Sequence, residues 1–232
     1  MHQQAALIVA GGTGTRMGSD LPKQFLLLAG KPILLHTLEA FYQHDPALPV
    51  VITLPGAWIP YMESLLDQAA LPVRPTLIAG GATRTDSVQA GLETLAGIMP
   101  APSQCWVAIH DGVRPLITPD LIGAAYTQAA ETGAAVVCVP VKASIRVLQP
   151  DGTSQAIPRE QFYEVQTPQT FRLDLILHAY HHRPDQAFTD DASLYELTTG
   201  PVSICPGSYD NLKVTTPEDM YVAEMILKRR TA

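Results

Sequence analysis

Two positive side chains, Arg16 and Lys23, follow a glycine-rich run in the segment from Ala6 to Phe25, ALIVAGGTGTRMGSDLPKQF. Glycines let backbone N–H groups approach phosphate oxygens closely, and cations placed beside them supply opposite charge. The segment opens as an apolar strand-like run. In open α/β sheets ligands sit at the carboxyl ends of strands, so these glycines fall where a site belongs. Two named phosphate-binding patterns are excluded. No G-x-x-x-x-G-K-[ST] run occurs, and from Gly12 the series reads G-T-G-T-R-M, with Met17 where a dinucleotide fingerprint needs its third glycine. No convincing Ser/His/Asp or Cys/His constellation offers a covalent nucleophile.

The elements that must carry these residues can be read from apolar runs. ALIVA (6–10), PVVITLP (49–55), PTLIAGG (75–81), WVAIHD (106–111) and AAVVCVP (134–140) are continuous rather than alternating, which predicts buried strands covered on both faces. Helical patterns lie between them. Pro32 stands at an expected first helical position, Thr83 and Asp86 head residues 83–95, Thr118-Pro119-Asp120 opens a third helix, and Thr216-Pro217-Glu218-Asp219 resembles a capping box. Strand–helix–strand repetition predicts an α/β fold with a mostly parallel sheet. Residues 141–162 break the rhythm and read as two polar strands around a Pro-Asp-Gly turn, expected to project as an arm and pack on another subunit.

Length and composition bound the rest. A chain of 232 residues with 47% hydrophobic and 16% charged side chains suits one large domain with a sizeable core. A net charge of −7 argues against coating nucleic acid or an anionic membrane, yet leaves room for local cations that bind a small anion. Cys105, Cys138 and Cys205 fit neither a disulfide framework nor a zinc site and read as reduced core thiols of a cytoplasmic protein. No secretory leader and no membrane-length apolar run is evident.

AGGTGTRMGSDLPKQF, AGGATRTDSVQAGL (79–92), HDGVRP (110–115), QTPQTF (166–171), FTDDASLYE (188–196) and DNLKVTTPEDM (210–220) together resemble the successive motifs of the 2-C-methyl-D-erythritol 4-phosphate cytidylyltransferase family, in order and spacing. The resemblance implies a Rossmann-like sheet of the nucleotide-diphospho-sugar transferase type. It implies transfer of a cytidylyl group from CTP to methylerythritol phosphate, with Mg2+ as cofactor, in a homodimer built through the 141–162 arm.

A phosphate monoester is largely ionised at neutral pH, its second pKa lying near ~6, so such a substrate needs no protein base. Catalysis then rests on positioning and on cations. By the resemblance Arg16 and Lys23 grip the triphosphate, and Lys213 serves the α-phosphate from a late strand end. Ala10, Gly11, Gly12, Gly14, Gly80, Gly81 and Ser87 bind the nucleotide, and Asp111 contacts the metal. Asp111, Arg114, Ser144, Arg159, Thr167 and Thr189 bind the acceptor, with Arg159 reaching across the dimer. Ala82 and Ala143 replace acidic residues common in relatives. Arg84 and Asp86 are expected to pair on a helix surface, Thr189 and Asp190 to cap a helix, and His110 to be a packed neighbour. A sister enzyme using ribitol 5-phosphate, or a nucleotide-binding module without turnover, remains open from the residues alone.

Overall fold

The computed structural model describes residues 3–12, 21–185 and 188–231. In chain order the elements are β1 (Gln3–Val9), β2 (Leu27–Leu28), β3 (Lys31–Pro32), α1 (Ile33–His44), β4 (Val50–Leu54), α2 (Ile59–Gln68), β5 (Thr76–Ala79), α3 (Arg84–Ile98) and β6 (Cys105–Asp111). They continue with α4 (Pro119–Thr132), β7 (Ala134–Pro140), β8 (Ile145–Leu148), β9 (Ser154–Ile157), β10 (Tyr163–Arg172), α5 (Leu173–His181), α6 (Asp191–Thr198), β11 (Ser203–Pro206) and α7 (Pro217–Thr231). Seven strands form one sheet in the order β11-β7-β10-β6-β1-β4-β5.

The apolar runs are continuous because the sheet is covered on both sides. Along β1, Ala6 and Ile8 point into a layer with Leu34, Leu38 and Phe41 of α1 and Tyr126 of α4. Ala5, Leu7 and Val9 point the other way, against Val88, Leu92 and Leu95 of α3 and Ile176 of α5. β5 departs from the expected buried strand: it is the sheet's edge and half-exposed. The sheet is mostly parallel, with β10 antiparallel to both β6 and β7. β10 and β11 lie outside the strands expected from sequence.

The helix starts follow capping chemistry. Thr83 and Asp86 form a reciprocal capping box on α3, and Thr118 accepts from Leu121 N at the head of α4. Pro32 lies one position outside α1 rather than inside it, because Lys31 and Pro32 pair with Leu27 and Leu28. The three cysteines are free and buried. Within the 141–162 segment, β8 and β9 form their own antiparallel ladder, with Gly152 at φ +83 in the turn. No helix among the described residues is long and apolar enough to cross a membrane.

α3 approaches the sheet through Gly91, where an added Cβ would lie 2.3 Å from Leu7 Cδ1 and 2.8 Å from Cδ2. Leu7 is fully buried and cannot swing aside. Alanine is intrinsically the better helix former by about 1 kcal/mol, but overpacking a close-packed core costs about 1–3 kcal/mol. Gly91→Ala should therefore lower the urea midpoint of unfolding without changing the slope. A raised midpoint would show that this helix–sheet approach is loose.

Candidate active site

The C-terminal ends of β1 and β6, the turn Lys23–Phe25 and the N-terminus of α3 enclose a cleft of about 280 Å³. Ala10, Gly11, Gly12, Lys23, Gly81 and Ser87 are among the residues facing it. Their placement has local causes. Phe25 is fully buried and packs against Trp58 and Tyr61, with ring centroids 5.5 and 5.0 Å away. Buried Gln24 donates from Nε2 to the Ala10 carbonyl at 2.8 Å. Lys23 is thus carried on a turn that Phe25 fixes to a cluster of aromatic rings and Gln24 to the end of β1.

The opposite wall is a glycine turn pressed onto the start of α3. Ser87 Oγ accepts from Gly81 N at 3.1 Å and donates to the Thr83 carbonyl at 2.9 Å. A Cβ on Gly80 would lie 2.7 Å from Ser87 Oγ, and one on Gly81 would lie 2.3 Å from Asp86 Cβ. Only glycine permits this approach.

A second compartment of about 250 Å³ adjoins the first, lined by Arg114, Gln166, Thr167, Thr189 and Asp190 among others. The two share Arg84, Asp111 and Lys213. Asp111, the last residue of the buried strand β6, holds Lys213 Nζ on Oδ2 at 2.9 Å and Arg114 Nε on the same oxygen at 3.4 Å. Burial alone would raise the Asp111 pKa, but the charges of Lys213, Arg84 and Arg114 outweigh it and hold the carboxyl at about 2. The junction is therefore an ionised carboxylate ringed by three cations.

Lys213 lies on the loop between β11 and α7 rather than at a strand end, since β11 stops at Pro206. The loop is pinned by buried Asn211, whose Nδ2 donates to Thr167 O at 2.8 Å while its own carbonyl accepts from Arg114 Nη1 at 2.8 Å. Thr167 is presented because β10 slips register against β7 between Val165 and Gln169, at the cis Thr167-Pro168 bond. Its Oγ1 accepts from Asp111 N at 3.0 Å and lies 3.1 Å from His110 Nδ1. His110 Nε2 faces the Arg114 carbonyl, which can only accept, so a bond there puts the ring proton on Nε2 and leaves Nδ1 to accept from Thr167.

The expected pair between Arg84 and Asp86 does not form. Arg84 instead makes a two-pronged bond to Asp191, Nη1 to Oδ1 at 2.8 Å and Nη2 to Oδ2 at 2.7 Å, and Asp86 pairs with Arg183 at 2.8 Å. The capping box takes Asp86 Oδ2 and Arg183 takes Oδ1, while Arg84 meets the fully buried carboxylate of Asp191. Asp190, not Thr189, is the N-cap of α6, and Thr189 precedes it facing the second compartment.

The structure thus gathers Ala10, Gly11, Gly12, Lys23, Gly81, Ser87, Asp111, Arg114, Thr167, Thr189 and Lys213 around two joined compartments. Ser144 and Arg159 lie exposed in the arm segment and line neither, with Arg159 donating to the Lys142 carbonyl of its own chain. Arg16 and Gly14 lie outside the described residues. Asn211, Asp191 and Tyr180 are not marked as site residues by sequence, although Asn211 and Asp191 fall inside the DNLK and FTDDAS motifs.

The model of the 2-C-methyl-D-erythritol 4-phosphate cytidylyltransferase family matches residues 4–229. An enzyme of that name from Porphyromonas gingivalis is 43% identical over 227 residues, 97% of this chain and 98% of the relative. Another from Bacteroides thetaiotaomicron is 40% identical, covering 97% of this chain and all of the relative. The crystal structure of the Thermus thermophilus enzyme of the same name superposes with a TM-score of 0.76 at 30% identity, covering 97% of this chain and 99% of that one. A 4-diphosphocytidyl-2C-methyl-D-erythritol synthase from Anaerococcus prevotii superposes with a TM-score of 0.83 at 25% identity, covering 98% and 96%.

His110 gives this site a stability signature. Burial keeps its imidazole neutral and lowers its pKa from 6.5 to about 3. Between those values the unfolded chain binds the extra proton, so the contribution is complete above pH 6.5 and is lost as pH falls toward about 3. His110→Gln should flatten the fall of unfolding free energy between about pH 6 and 4, by up to roughly 1.4 kcal/mol per pH unit. Parallel slopes in urea titrations of the two chains would mean that His110 titrates normally.

Proposed function

We propose for this site the reaction of the 2-C-methyl-D-erythritol 4-phosphate cytidylyltransferase family, to which the chain belongs. The chain transfers a cytidylyl group from CTP to 2-C-methyl-D-erythritol 4-phosphate, giving 4-diphosphocytidyl-2-C-methyl-D-erythritol and pyrophosphate, a step of isoprenoid biosynthesis. The observation that carries the reading is the pair of compartments meeting at Arg84, Asp111 and Lys213. One holds the nucleotide and the other the acceptor, so the acceptor phosphate faces the α-phosphate across the cations.

In this reading the glycine turn and Ser87 form the base wall: Ser87 Oγ and nearby backbone groups are the fixed polar atoms, and the close turn leaves room for a pyrimidine. Lys23 and Lys213 bring positive charge to the nucleotide compartment from separate segments, and Arg16 joins them in the proposed set. Arg114, Thr167 and Thr189 face the acceptor. An oxygen of the acceptor phosphate attacks the α-phosphorus in line. A new P–O bond forms as the bond to the β-phosphate breaks, and pyrophosphate leaves with that electron pair. No protein proton is moved.

A divalent cation, Mg2+ in our reading, fits the donor set as a nucleotide-borne ion. No cluster of three acidic, His or Cys ligands exists among the described residues. Asp111 is ionised, and its bonds to Lys213 and Arg114 both fall on Oδ2. Asp111 Oδ1 together with substrate phosphate oxygens would hold such an ion, which would neutralise phosphate charge.

We further propose a cytoplasmic homodimer formed through the arm, with Arg159 and Ser144 completing the acceptor site of the partner. Five apolar side chains of the arm and the strand that follows it, Val147, Leu148, Phe162, Tyr163 and Val165, are between 37% and 74% exposed, which supports a covering surface there.

Pyrophosphate release with CTP should require methylerythritol phosphate; equal release with ribitol 5-phosphate would move the assignment to the sister activity. Lys23→Ala should lower kcat by roughly 10²–10³, as for loss of one oxyanion donor. A raised KM for CTP at unchanged kcat would make Lys23 a binding residue only. Mixing Arg159→Ala with Lys23→Ala chains should restore turnover above either parent. Mixed dimers that stay as inactive as the parents would place Arg159 outside the site.

A further inference from the structure

The junction holds a third cation whose anchor has no role in the scheme above. Arg84 is the first residue of α3, on the nucleotide side. Asp191 is the first residue of α6, directly after Thr189 and Asp190 on the acceptor side. The two are 107 positions apart in the chain, yet both terminal guanidinium nitrogens meet both carboxylate oxygens. The Asp191 side chain is fully buried while that of Arg84 keeps 36% exposure. Tyr180 Oη, itself buried, donates to Asp191 Oδ1. Gln169 ties the same helix start down, donating to Asp190 and accepting from Ala192 N at 2.8 Å.

This is an expensive arrangement for a merely structural contact. A buried ion pair seldom stabilises a fold better than apolar residues of similar size. What it does supply is direction. A guanidinium has five N–H donors in a fixed plane, and the pair with Asp191 takes two of them. Arg84 borders both compartments, and the bond to Asp191 leaves it further N–H donors.

We propose that Asp191, gripped by Tyr180, is a positioning residue that aims the Arg84 guanidinium at the junction, where Arg84 binds the phosphate passing between nucleotide and acceptor. The inference rests on the transferase reading and adds a residue pair to it. Because the guanidinium is fixed before substrate arrives, its charge acts on the transition state without reorganisation. Because the pair joins α3 to α6, it also holds the two compartments in one relative placement. A one-ångström error there is enough to impair an in-line attack.

The test is steady-state pyrophosphate release by the full chain with CTP and the acceptor. Arg84→Ala should lower kcat roughly 10²-fold, and Asp191→Asn, which misaims the cation without removing it, roughly tenfold, with the KM for CTP changed less than about threefold. Tyr180→Phe should act in the same direction by a few-fold. In the Arg84→Ala background, Asp191→Asn should have little further effect, since its target is gone. Equal loss from Asp191→Asn in both backgrounds would make Asp191 structural and overturn the proposal, as would an unchanged kcat in the single variant. If Asp191→Asn fails to fold, Tyr180→Phe in the two backgrounds decides the same question. Failure of the wild-type chain to release pyrophosphate would overturn the transferase reading and this inference with it. Turnover by the wild type with additive variants overturns this inference alone.

Discussion

Asp111 is a carboxylate that the fold buries at the end of its central strand, and almost everything about the site follows from keeping it ionised there. Alone it would be driven to take up a proton; with Lys213, Arg84 and Arg114 around it, its pKa falls to about 2. The arrangement does not stop at neutrality. Among the described residues, Lys23, Arg84, Arg114 and Lys213 line the two compartments with the carboxylates Asp111 and Asp190, and Asp191 is buried behind Arg84, in a chain whose formal net charge is −7. The acidic surroundings and the cationic junction serve different ends: the first keeps polyanions from binding broadly, and the second accepts one compact polyanion at one place.

Holding such a cluster together demands elements that do not yield. Each of these cations comes from a different part of the chain, and each is held by a bond or a neighbour that the fold fixes. Lys23 rides on a turn set by Gln24 and Phe25, and Arg114 is tied to the Asn211 carbonyl. Lys213 sits on the loop that Asn211 fastens to Thr167. The antiparallel β10 is what makes this possible. Its interrupted register against β7 sets Thr167 beside the end of β6, where one hydroxyl serves both Asp111 N and His110.

The sequence made the parallel half of this architecture legible and hid the rest, for physical reasons. β1, β4, β6 and β7 are covered on both faces and so read as unbroken apolar runs. The caps of α3 and α4 are written in residues three apart. β10 carries Gln166, Thr167, Gln169 and Thr170 buried, with a proline amid them, and offers neither an apolar run nor an alternation to detect. Gly81 and Ser87 could be placed because they fall in AGGATRTDSVQAGL, a segment that resembles a family motif. The Arg84–Asp191 bond could not, since no periodicity links residues 107 positions apart, and by sequence the nearer Asp86 is the obvious partner although it pairs with Arg183.

The arm raises a different constraint. β8 and β9 are four residues each, pair only with one another, and face solvent along most of their length. Two strands without a covering layer are marginal in water, because the backbone entropy of ordering them is met by few buried contacts. Arg146 partly compensates by bonding Ser154 through both its Nε and Nη2, and Asp151 closes the turn onto Thr153. These exposed polar bonds contribute little each. A second chain laid against Leu148 and its apolar neighbours would bury what the hairpin cannot bury itself. This gives the proposed dimer a reason rooted in the stability of the arm as well as in the reach of Arg159.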